Sequence, residues 1–260
     1  MKRTPVKISP EDFPSEFTPL LDGAKIFDTS SSPETKVYFI DRDSGYFLKV
    51  AKRGTLEREV LMTKYFHSIG LGAHVLSYLS NKYDYMLSER AEGEDLTHSE
   101  YLSDPKRLAV TMAELLRALH SRDASDCPVI RTPEYLRTVE ENYKKGHFDL
   151  SLFEDKSSFG SAEDAYRFVA ENSSVLRSDT LIHGDFCLPN ILLENWRFGK
   201  FIDVGNGGIA DRHIDLFWGA WTLKYNLGTD AFRDVFFDAY GRELINPTAL
   251  LVVEAAEIFG

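Results

Sequence analysis

The stretch LIHGDFCLPNILLENWRFGKFIDVG, residues 181–205 of the 260-residue chain, places polar side chains where two short apolar runs end. The runs at residues 180–182 and 201–202 are typical of short strands. Polar residues at the ends of strands are held in place by the scaffold and stay accessible, so such positions often carry function. This stretch is therefore the predicted centre of a functional site, and the patterns on either side of it indicate the fold.

The residues on either side of this stretch show two kinds of pattern. Residues 36–89 contain the strand-like runs KVYFI, GYFLKV, HVLSYLS and DYMLSE, and one helix interrupts them, with Thr55 as its predicted N-cap and Gly70 as its predicted end. After residues 89–95 the period becomes helical, beginning with leucines and a methionine on one face of residues 108–119. Further helices are predicted at residues 133–143, 162–169, 211–225 and 229–240, and from Pro247 with Asn246 as the cap.

These patterns predict an α+β fold with two lobes. The N-terminal lobe, residues 1–90, is expected to be a small antiparallel sheet with one helix. The C-terminal lobe, residues 91–260, is expected to be larger and mainly helical.

Three side chains of the opening stretch have the chemistry of phosphoryl transfer. Asp185 and Asn190 are spaced as in a kinase catalytic loop, and Asp203 follows the second apolar run. Asp185 is expected to orient a substrate hydroxyl and accept its proton, while the oxygens of Asn190 and Asp203 suit Mg²⁺. The alternative is that all three are ordinary turn residues, because aspartate and asparagine favour turns.

A lysine and a glutamate upstream fit the same chemistry. Lys49 lies on a strand-like run, and Glu59 lies in the helix that follows. A lysine that contacts the α- and β-phosphates must be held by a carboxylate, so we expect these two side chains to pair. Taken singly, each is more simply read as a surface residue.

The charge of the chain restricts its partners. Thirty basic and 41 acidic residues give a formal charge of −11, which disfavours nucleic acid and anionic membranes and favours cations, although many acidic proteins are acidic for solubility alone. No apolar run approaches the ~20 residues that cross a bilayer, and residues 1–14 lack the apolar core of a signal peptide. We therefore expect a soluble, cytoplasmic protein whose two cysteines, Cys127 and Cys187, are reduced.

Motifs along nearly the whole chain resemble a known family. They are SSPETKVYFI, YFLKV, LEREV, MLSERAEG, LLRALHSRDASDCP, LIHGDFCLPNILL and FGKFIDVGNGGIADRHIDL. They resemble the aminoglycoside phosphotransferases, especially the 3'-phosphotransferase (kanamycin kinase) group, whose fold is similar to that of eukaryotic protein kinases. The resemblance implies antibiotic resistance through transfer of the γ-phosphoryl group of ATP or GTP to a hydroxyl, the 3'-hydroxyl in this group, of a cationic aminoglycoside.

The resemblance also implies that the N-terminal lobe binds the nucleotide and that the C-terminal lobe carries catalysis and substrate binding, and it implies roles for individual residues. Asp185 is the implied catalytic base, Asn190 and Asp203 are the implied Mg²⁺ ligands, and Lys49 with Glu59 positions the phosphates. The loop at residues 31–36, with Ser31 and Ser32, is expected to cover the triphosphate, and the backbone of Glu89 and Ala91 is expected to bind adenine or guanine. The predicted acceptor-binding carboxylates are Asp149, Glu154, Asp155 and Glu257.

The sequence departs from the family pattern on the acceptor side. Asn206 and Trp221 stand where the family commonly has arginines, and Gly260 follows the usual terminal phenylalanine. Two alternatives to an aminoglycoside kinase therefore stay open at this point: a kinase of another alcohol, such as a macrolide or an amino alcohol, and a nucleotide-binding pseudokinase. The choice between ATP and GTP and between monomer and dimer is also open.

Overall fold

A computed structural model describes residues 3–31, 33–149 and 158–260. The chain divides into two compact units, the first comprising Met1–Asp95 with Pro189–Gly205, and the second Leu96–Leu188 with Asn206–Gly260. Two of the three points at which the chain passes between units therefore lie at residues 188–189 and 205–206, within or next to the stretch quoted above. That stretch contributes to both units.

The first unit is built on antiparallel sheet. Its elements are β1 Thr4–Val6, α1 Thr18–Leu21, β2 Lys25–Asp28, β3 Thr35–Asp41, β4 Tyr46–Lys52, α2 Glu57–Ser68, β5 Val75–Ser80, β6 Tyr83–Glu89, β7 Glu94–Asp95, β9 Ile191–Glu194 and β10 Arg197–Phe201. Six strands form one sheet in the order β1-β2-β3-β4-β6-β5, and β10-β9-β7 form a second sheet. β3 to β6 correspond to the four strands predicted from period-two runs, while β1 and β2 were not predicted because they are short and polar.

Helix α2 begins differently from the prediction. Thr55 is not its N-cap, because its Oγ1 donates to the carbonyl of Lys52, and the helix starts two residues later. The carboxylate of the buried Asp84, on β6, instead accepts the N–H of Leu56 at 2.9 Å. The helix ends as predicted at Gly70, whose φ of +81° is readily adopted only by glycine. A neighbouring strand thus supplies the cap of α2.

The β9–β10 hairpin is attached to the first unit by its partners. Asn195 and Trp196, both with positive φ, form its two-residue turn, as the twist of a tight hairpin requires. β9 pairs with β7, and the N–H of Phe201 at the end of β10 donates to the carbonyl of Leu71 at 2.8 Å. The residues that follow β10 are therefore held beside the end of α2.

The second unit is mainly helical. Its elements are α3 Ser99–Leu102, α4 Pro105–His120, α5 Thr132–Lys145, α6 Ala162–Asn172, β8 Thr180–Ile182, β11 Gly208–Ala210, α7 His213–Leu227, α8 Arg233–Tyr240 and α9 Pro247–Glu257. The predicted cap of the last helix is confirmed, since the side chain of Asn246 accepts the N–H groups of Thr248 and Ala249. The predicted strand at residues 180–182 is also confirmed, and it pairs antiparallel with β11.

The core of the second unit explains where its site lies. Side chains of α5, α6 and α9 pack into one buried cluster with Ile182 of β8 and Ile214 of α7, and the cluster includes Phe259 after α9. The C-terminal residues are therefore buried beside the end of β8. The α+β fold class predicted from the sequence is confirmed by the antiparallel sheet of the first unit and the helices of the second. Within the described ranges, no helix is long and apolar enough to span a lipid bilayer.

Candidate functional site

A partly buried ion cluster in the first unit contains Lys49, Glu59 and Asp203. The Lys49 Nζ lies 2.5 Å from Glu59 Oε1 and also contacts Asp203 Oδ1. Burial lowers the pKa of the Lys49 ammonium, but Asp203 and Glu59 raise it more, so the net pKa lies above its ordinary value. The structure thus makes the predicted pairing of Lys49 with Glu59, and adds Asp203 to it.

The turn that carries Asp203 is held against α2. Arg58 Nε donates to the carbonyl of Gly205 at 2.7 Å, and a Cβ on Gly205 would lie 3.1 Å from the Cβ of Glu59. Asp203 itself has a φ of +56°, which is uncommon for a residue with a side chain and is tolerated where surrounding contacts enforce it. This close approach directs the Asp203 carboxylate towards Lys49.

Asn190 lies next to the same turn. Its carbonyl accepts the N–H of Ile202, the residue before Asp203, at 3.0 Å, and Asn190 is 7% exposed. An amide oxygen and a carboxylate on adjacent backbone segments are donors that suit Mg²⁺, which binds few protein ligands and keeps several waters. The side chain of Asp203 is 44% exposed, so a metal could reach it. The residues present therefore fit the predicted metal.

The predicted phosphate loop connects β2 to β3. Ser31 is exposed at a bend, and Ser32 lies outside the described residues. Ser30, which sequence reasoning missed, organises the start of this loop: its N–H donates to Asp28 Oδ1 at 2.8 Å, and its Oγ accepts the N–H of Val37 at 2.9 Å. A contact between Ser31 and phosphate stays a prediction.

The predicted base-binding segment follows β6. The N–H of Glu89 donates to the carbonyl of His74, and the N–H of Arg90 donates to the carbonyl of Gly45, each at 3.0 Å. Because its amide is already used, Glu89 has only its carbonyl to offer a base. Ala91 is half-buried immediately after this segment, and the role of both residues stays a prediction.

In the second unit, Asp185 lies in a tight turn after β8. Gly184 has a φ of +84°, and a Cβ there would lie 2.0 Å from the carbonyl oxygen of Asn206, so only glycine fits. The N–H of Asp185 donates to His183 Nδ1 at 3.2 Å. His183 therefore braces the turn.

Asp215 of α7 holds the same turn by accepting two of its backbone N–H groups. Its Oδ2 accepts the N–H of His183 and its Oδ1 accepts the N–H of Gly184, both at 2.7 Å. The His120 Nε2 lies 3.1 Å from Asp215 Oδ2, and the Tyr240 hydroxyl lies 2.8 Å from His120 Nδ1. Burial lowers the pKa of His120, so the neutral ring donates from Nε2 and accepts from Tyr240. This chain of hydrogen bonds from α4, α7 and α8 fixes the backbone beside Asp185.

A cavity of about 230 Å³ in the second unit joins Asp185 to Glu257. Asn206, Tyr135 and Trp218 also line it. The Tyr135 hydroxyl donates to Glu257 Oε1 at 2.8 Å, and Trp218 makes a second hydrogen bond to this carboxyl group. Burial nevertheless raises the pKa of Glu257 to about 7. The cavity therefore has two acidic side chains and an aromatic wall, and it is also lined by Arg131, which pairs with Glu134 at 3.3 Å.

The four predicted acceptor carboxylates have different outcomes. Glu257 is brought together with Asp185 in the cavity. Asp149 is exposed, does not line the cavity, and donates its N–H to the carbonyl of Ile258 at 2.9 Å. Glu154 and Asp155 lie outside the described residues. The position of Glu257 makes it the best placed of the four to meet an acceptor.

No functional role was predicted from the sequence for Asp215 or Tyr135. A signal for Asp215 was present, because it is an aspartate within the apolar helical stretch IDLFWGA, and a buried carboxylate needs donors. No comparable signal marked Tyr135, since a tyrosine on an amphipathic helix is equally expected in the core.

The chain was compared with known proteins. Residues 30–251 match the family described as the phosphotransferase enzyme family. A probable aminoglycoside 3'-phosphotransferase of Lactococcus lactis subsp. lactis (strain IL1403) is 47% identical over 257 residues, 98% of each chain. An aminoglycoside 3'-phosphotransferase of Niallia circulans is 28% identical over 159 residues, which cover 61% of this chain and 60% of that one.

Solved structures show the same fold. The crystal structure of an aminoglycoside-3'-phosphotransferase of type VIII superposes with a TM-score of 0.74 at 23% identity and covers 96% of each chain. An aminoglycoside phosphotransferase from Streptomyces rimosus, solved with ADP and streptomycin, superposes with a TM-score of 0.69 at 18% identity and covers 94% of this chain and 98% of that one. The resemblance drawn from the sequence motifs is confirmed by these matches.

Proposed function

Since the chain belongs to the phosphotransferase enzyme family, we propose that it transfers the γ-phosphoryl group of a nucleoside triphosphate to a hydroxyl of an aminoglycoside. The observation that carries the proposal is the cavity in which Asp185 and the buried Glu257 both lie. The relative from Lactococcus lactis, similar over nearly the whole chain, bears the name of a probable aminoglycoside 3'-phosphotransferase and supports the same acceptor class and the 3'-hydroxyl.

On the acceptor side, two carboxyl groups have different tasks. Asp185 orients the acceptor hydroxyl and takes its proton as the acceptor oxygen bonds to the γ-phosphorus. The bond from that phosphorus to the β-phosphate oxygen breaks, and the nucleoside diphosphate leaves. Glu257, once ionised, pairs with an ammonium group of the acceptor inside a cavity where water screens little. The hydrogen bonds that Asp215 accepts keep the turn that carries Asp185 in one geometry, and such fixed positioning contributes to an in-line transfer.

On the donor side, Lys49 contacts the α- and β-phosphates and Glu59 holds its ammonium group in place. Asn190 and Asp203 would hold Mg²⁺, which supplies charge neutralisation of the phosphate oxygens when bound. Ser31 and Ser32 cover the phosphates, while Glu89 and Ala91 bind the base. The donor is ATP or GTP.

A second candidate keeps the reaction and changes the acceptor to another amino alcohol. It is favoured by Asn206, which lines the cavity where the family commonly has an arginine. Both candidates require an amine beside the hydroxyl because Glu257 faces the cavity. The expectations of a cytoplasmic location and of no nucleic-acid or membrane partner stay predictions.

The proposal is tested by incubating the chain with Mg²⁺, ATP or GTP, and a mixed library of kanamycin, amino alcohols and macrolides. We expect kanamycin to gain one phosphoryl group in mass spectra, with NMR placing it on the 3'-oxygen. Asp185→Asn should lose about 10²–10⁴-fold in kcat, whereas the exposed Asp230→Asn, in the same unit, should retain it. If the unsubstituted chain phosphorylated only a non-aminoglycoside alcohol, the second candidate would replace the first.

A further inference from the structure

Three aromatic side chains form a continuous row on one face of α7. Trp218, Trp221 and Tyr225 lie three and four residues apart, the spacing of one helix face. The rings of Trp218 and Trp221 meet edge to face with centroids 5.3 Å apart, and those of Trp221 and Tyr225 are stacked at 5.0 Å with an interplanar angle of 12°. We call these three residues the aromatic row.

The inner end of the aromatic row is part of the candidate acceptor site. Trp218 lines the cavity that holds Asp185 and Glu257, and it makes a hydrogen bond to the Glu257 carboxyl group. A ligand bound beside Glu257 therefore meets Trp218. The rest of the row continues outward along α7 from that wall.

The outer end of the row is exposed. Tyr225 is 72% exposed, and Trp221 is only partly buried. A tyrosine that is left this open stabilises the apolar core little. The stacking on Trp221 does, however, fix the ring of Tyr225, so its outer face is a rigid surface that loses little conformational entropy when a ligand binds.

The size of the cavity requires an outer surface for a large acceptor. Its volume of about 230 Å³ is below the ~300–1,000 Å³ typical of pockets for drug-sized ligands. One sugar ring can therefore enter, while further rings of the same molecule must lie outside the cavity. Trp218 lines the cavity and is the first residue of the aromatic row, so a second ring would meet Trp218 and a third ring would reach Trp221 and Tyr225.

From this placement we propose that Trp221 and Tyr225 form a second acceptor subsite, on which an outer amino-sugar ring of the acceptor lies while the inner ring occupies the cavity. The inference rests on the proposed function and specifies its substrate class as multi-ring amino sugars. Ring C–H groups pack on the aromatic faces, and ammonium groups of the outer ring gain cation–π attraction.

The test compares two acceptors that differ by one ring. Kinetics are measured with kanamycin B, which has three rings, and with neamine, which is kanamycin B without its third ring, for the unsubstituted chain and for Tyr225→Ala, Tyr225→Phe and Trp221→Leu. Tyr83→Ala is the matched control, because Tyr83 is an exposed tyrosine of the first unit. Thermal unfolding of each variant confirms that it is folded.

We expect Tyr225→Ala and Trp221→Leu to raise the KM for kanamycin B by about 2- to 30-fold, the range for cation–π contacts from exposed to desolvated settings. Their KM for neamine should change by less than about twofold, and kcat should stay similar for both acceptors, because the contact is made equally in the ground and transition states. Tyr225→Phe, which keeps the ring, and the Tyr83→Ala control should behave like the unsubstituted chain.

Other results would overturn the inference. Equal effects on both acceptors, or no effect on either, would remove the subsite while leaving the proposed function intact. Dissociation of a dimer by Tyr225→Ala, seen by size-exclusion chromatography without a change in KM, would assign the surface to self-association. Absence of turnover with either aminoglycoside by the unsubstituted chain would refute the proposed function, and the subsite with it.

Discussion

Replacing Asp215 by asparagine tests whether this residue holds the turn of the candidate base. Asp215 is fully buried and accepts three hydrogen bonds: 2.7 Å from the N–H of His183, 2.7 Å from the N–H of Gly184 and 3.1 Å from His120 Nε2. Asparagine has the same shape but only one oxygen. If the asparagine oxygen accepts the hydrogen bonds of His183 and His120, the asparagine NH₂ group lies against the N–H of Gly184. A donor then faces a donor.

The cost follows from these contacts. One buried N–H without an acceptor costs about 1–3 kcal/mol, and the other two bonds, no longer to a charged group, each lose about 1 kcal/mol. We therefore expect Asp215→Asn to lower the free energy of unfolding by about 3–5 kcal/mol, which for a chain of this size lowers Tm by roughly 6–20 °C. Because the Gly184 turn precedes Asp185, kcat measured well below Tm should fall at least about tenfold.

The measurements are thermal and urea unfolding followed by circular dichroism, and steady-state kinetics with the acceptor found in the library screen. Asp234→Asn is the control, because this aspartate is 80% exposed, pairs with Arg242 at the surface, and should change stability by no more than about 1 kcal/mol. A Tm for Asp215→Asn within about 2 °C of the parent would refute the reasoning, since by the same conversion it corresponds to at most about 1 kcal/mol.

Three further predictions concern charge and packing. Burial raises the pKa of Glu257 from 4.5 to about 7, so the folded state loses stability as the pH rises from about 4.5 to about 7. Glutamine does not ionise, so in urea unfolding Glu257→Gln should be more stable than the parent by about 3 kcal/mol at pH 8 and equal to it near pH 4. Equal stability at both pH values would contradict a buried acid. Lys49→Ala should reduce kcat/KM for the nucleotide about 10- to 150-fold, because a charge-assisted contact is lost. Lys52 is exposed on the same strand, so Lys52→Ala should retain the kcat/KM of the parent. Similar losses in both variants would argue against a specific role for Lys49. Gly184→Ala should unfold far more easily than Gly146→Ala, because both have positive φ but only the first Cβ meets backbone, at 2.0 Å; equal urea midpoints would show that the turn relaxes.

Several features were predictable because they are written in adjacent residues. The four strands β3 to β6 follow from period-two runs, the last helix from Asn246 and Pro247, and the end of α2 from Gly70. The spacing of Asp185, Asn190 and Asp203 also lies within one short stretch. Local period and local turn chemistry are properties of neighbours in the chain, and they can be read without knowing the packing.

Other features depended on which distant segments meet. The cap of α2 is Asp84 from a strand and not the local Thr55, and Glu257 reaches the cavity of Asp185 only because α9 packs beside β8. The three donors around Asp215 likewise come from two segments that are distant in the sequence, His120 of α4 and the turn at residues 183–184. Burial and hydrogen-bond partners are created by tertiary contacts. The fold, and not the local sequence, therefore decided the raised pKa of Glu257, the fixed geometry of the turn at residues 183–185 and the place of the aromatic row beside the cavity wall.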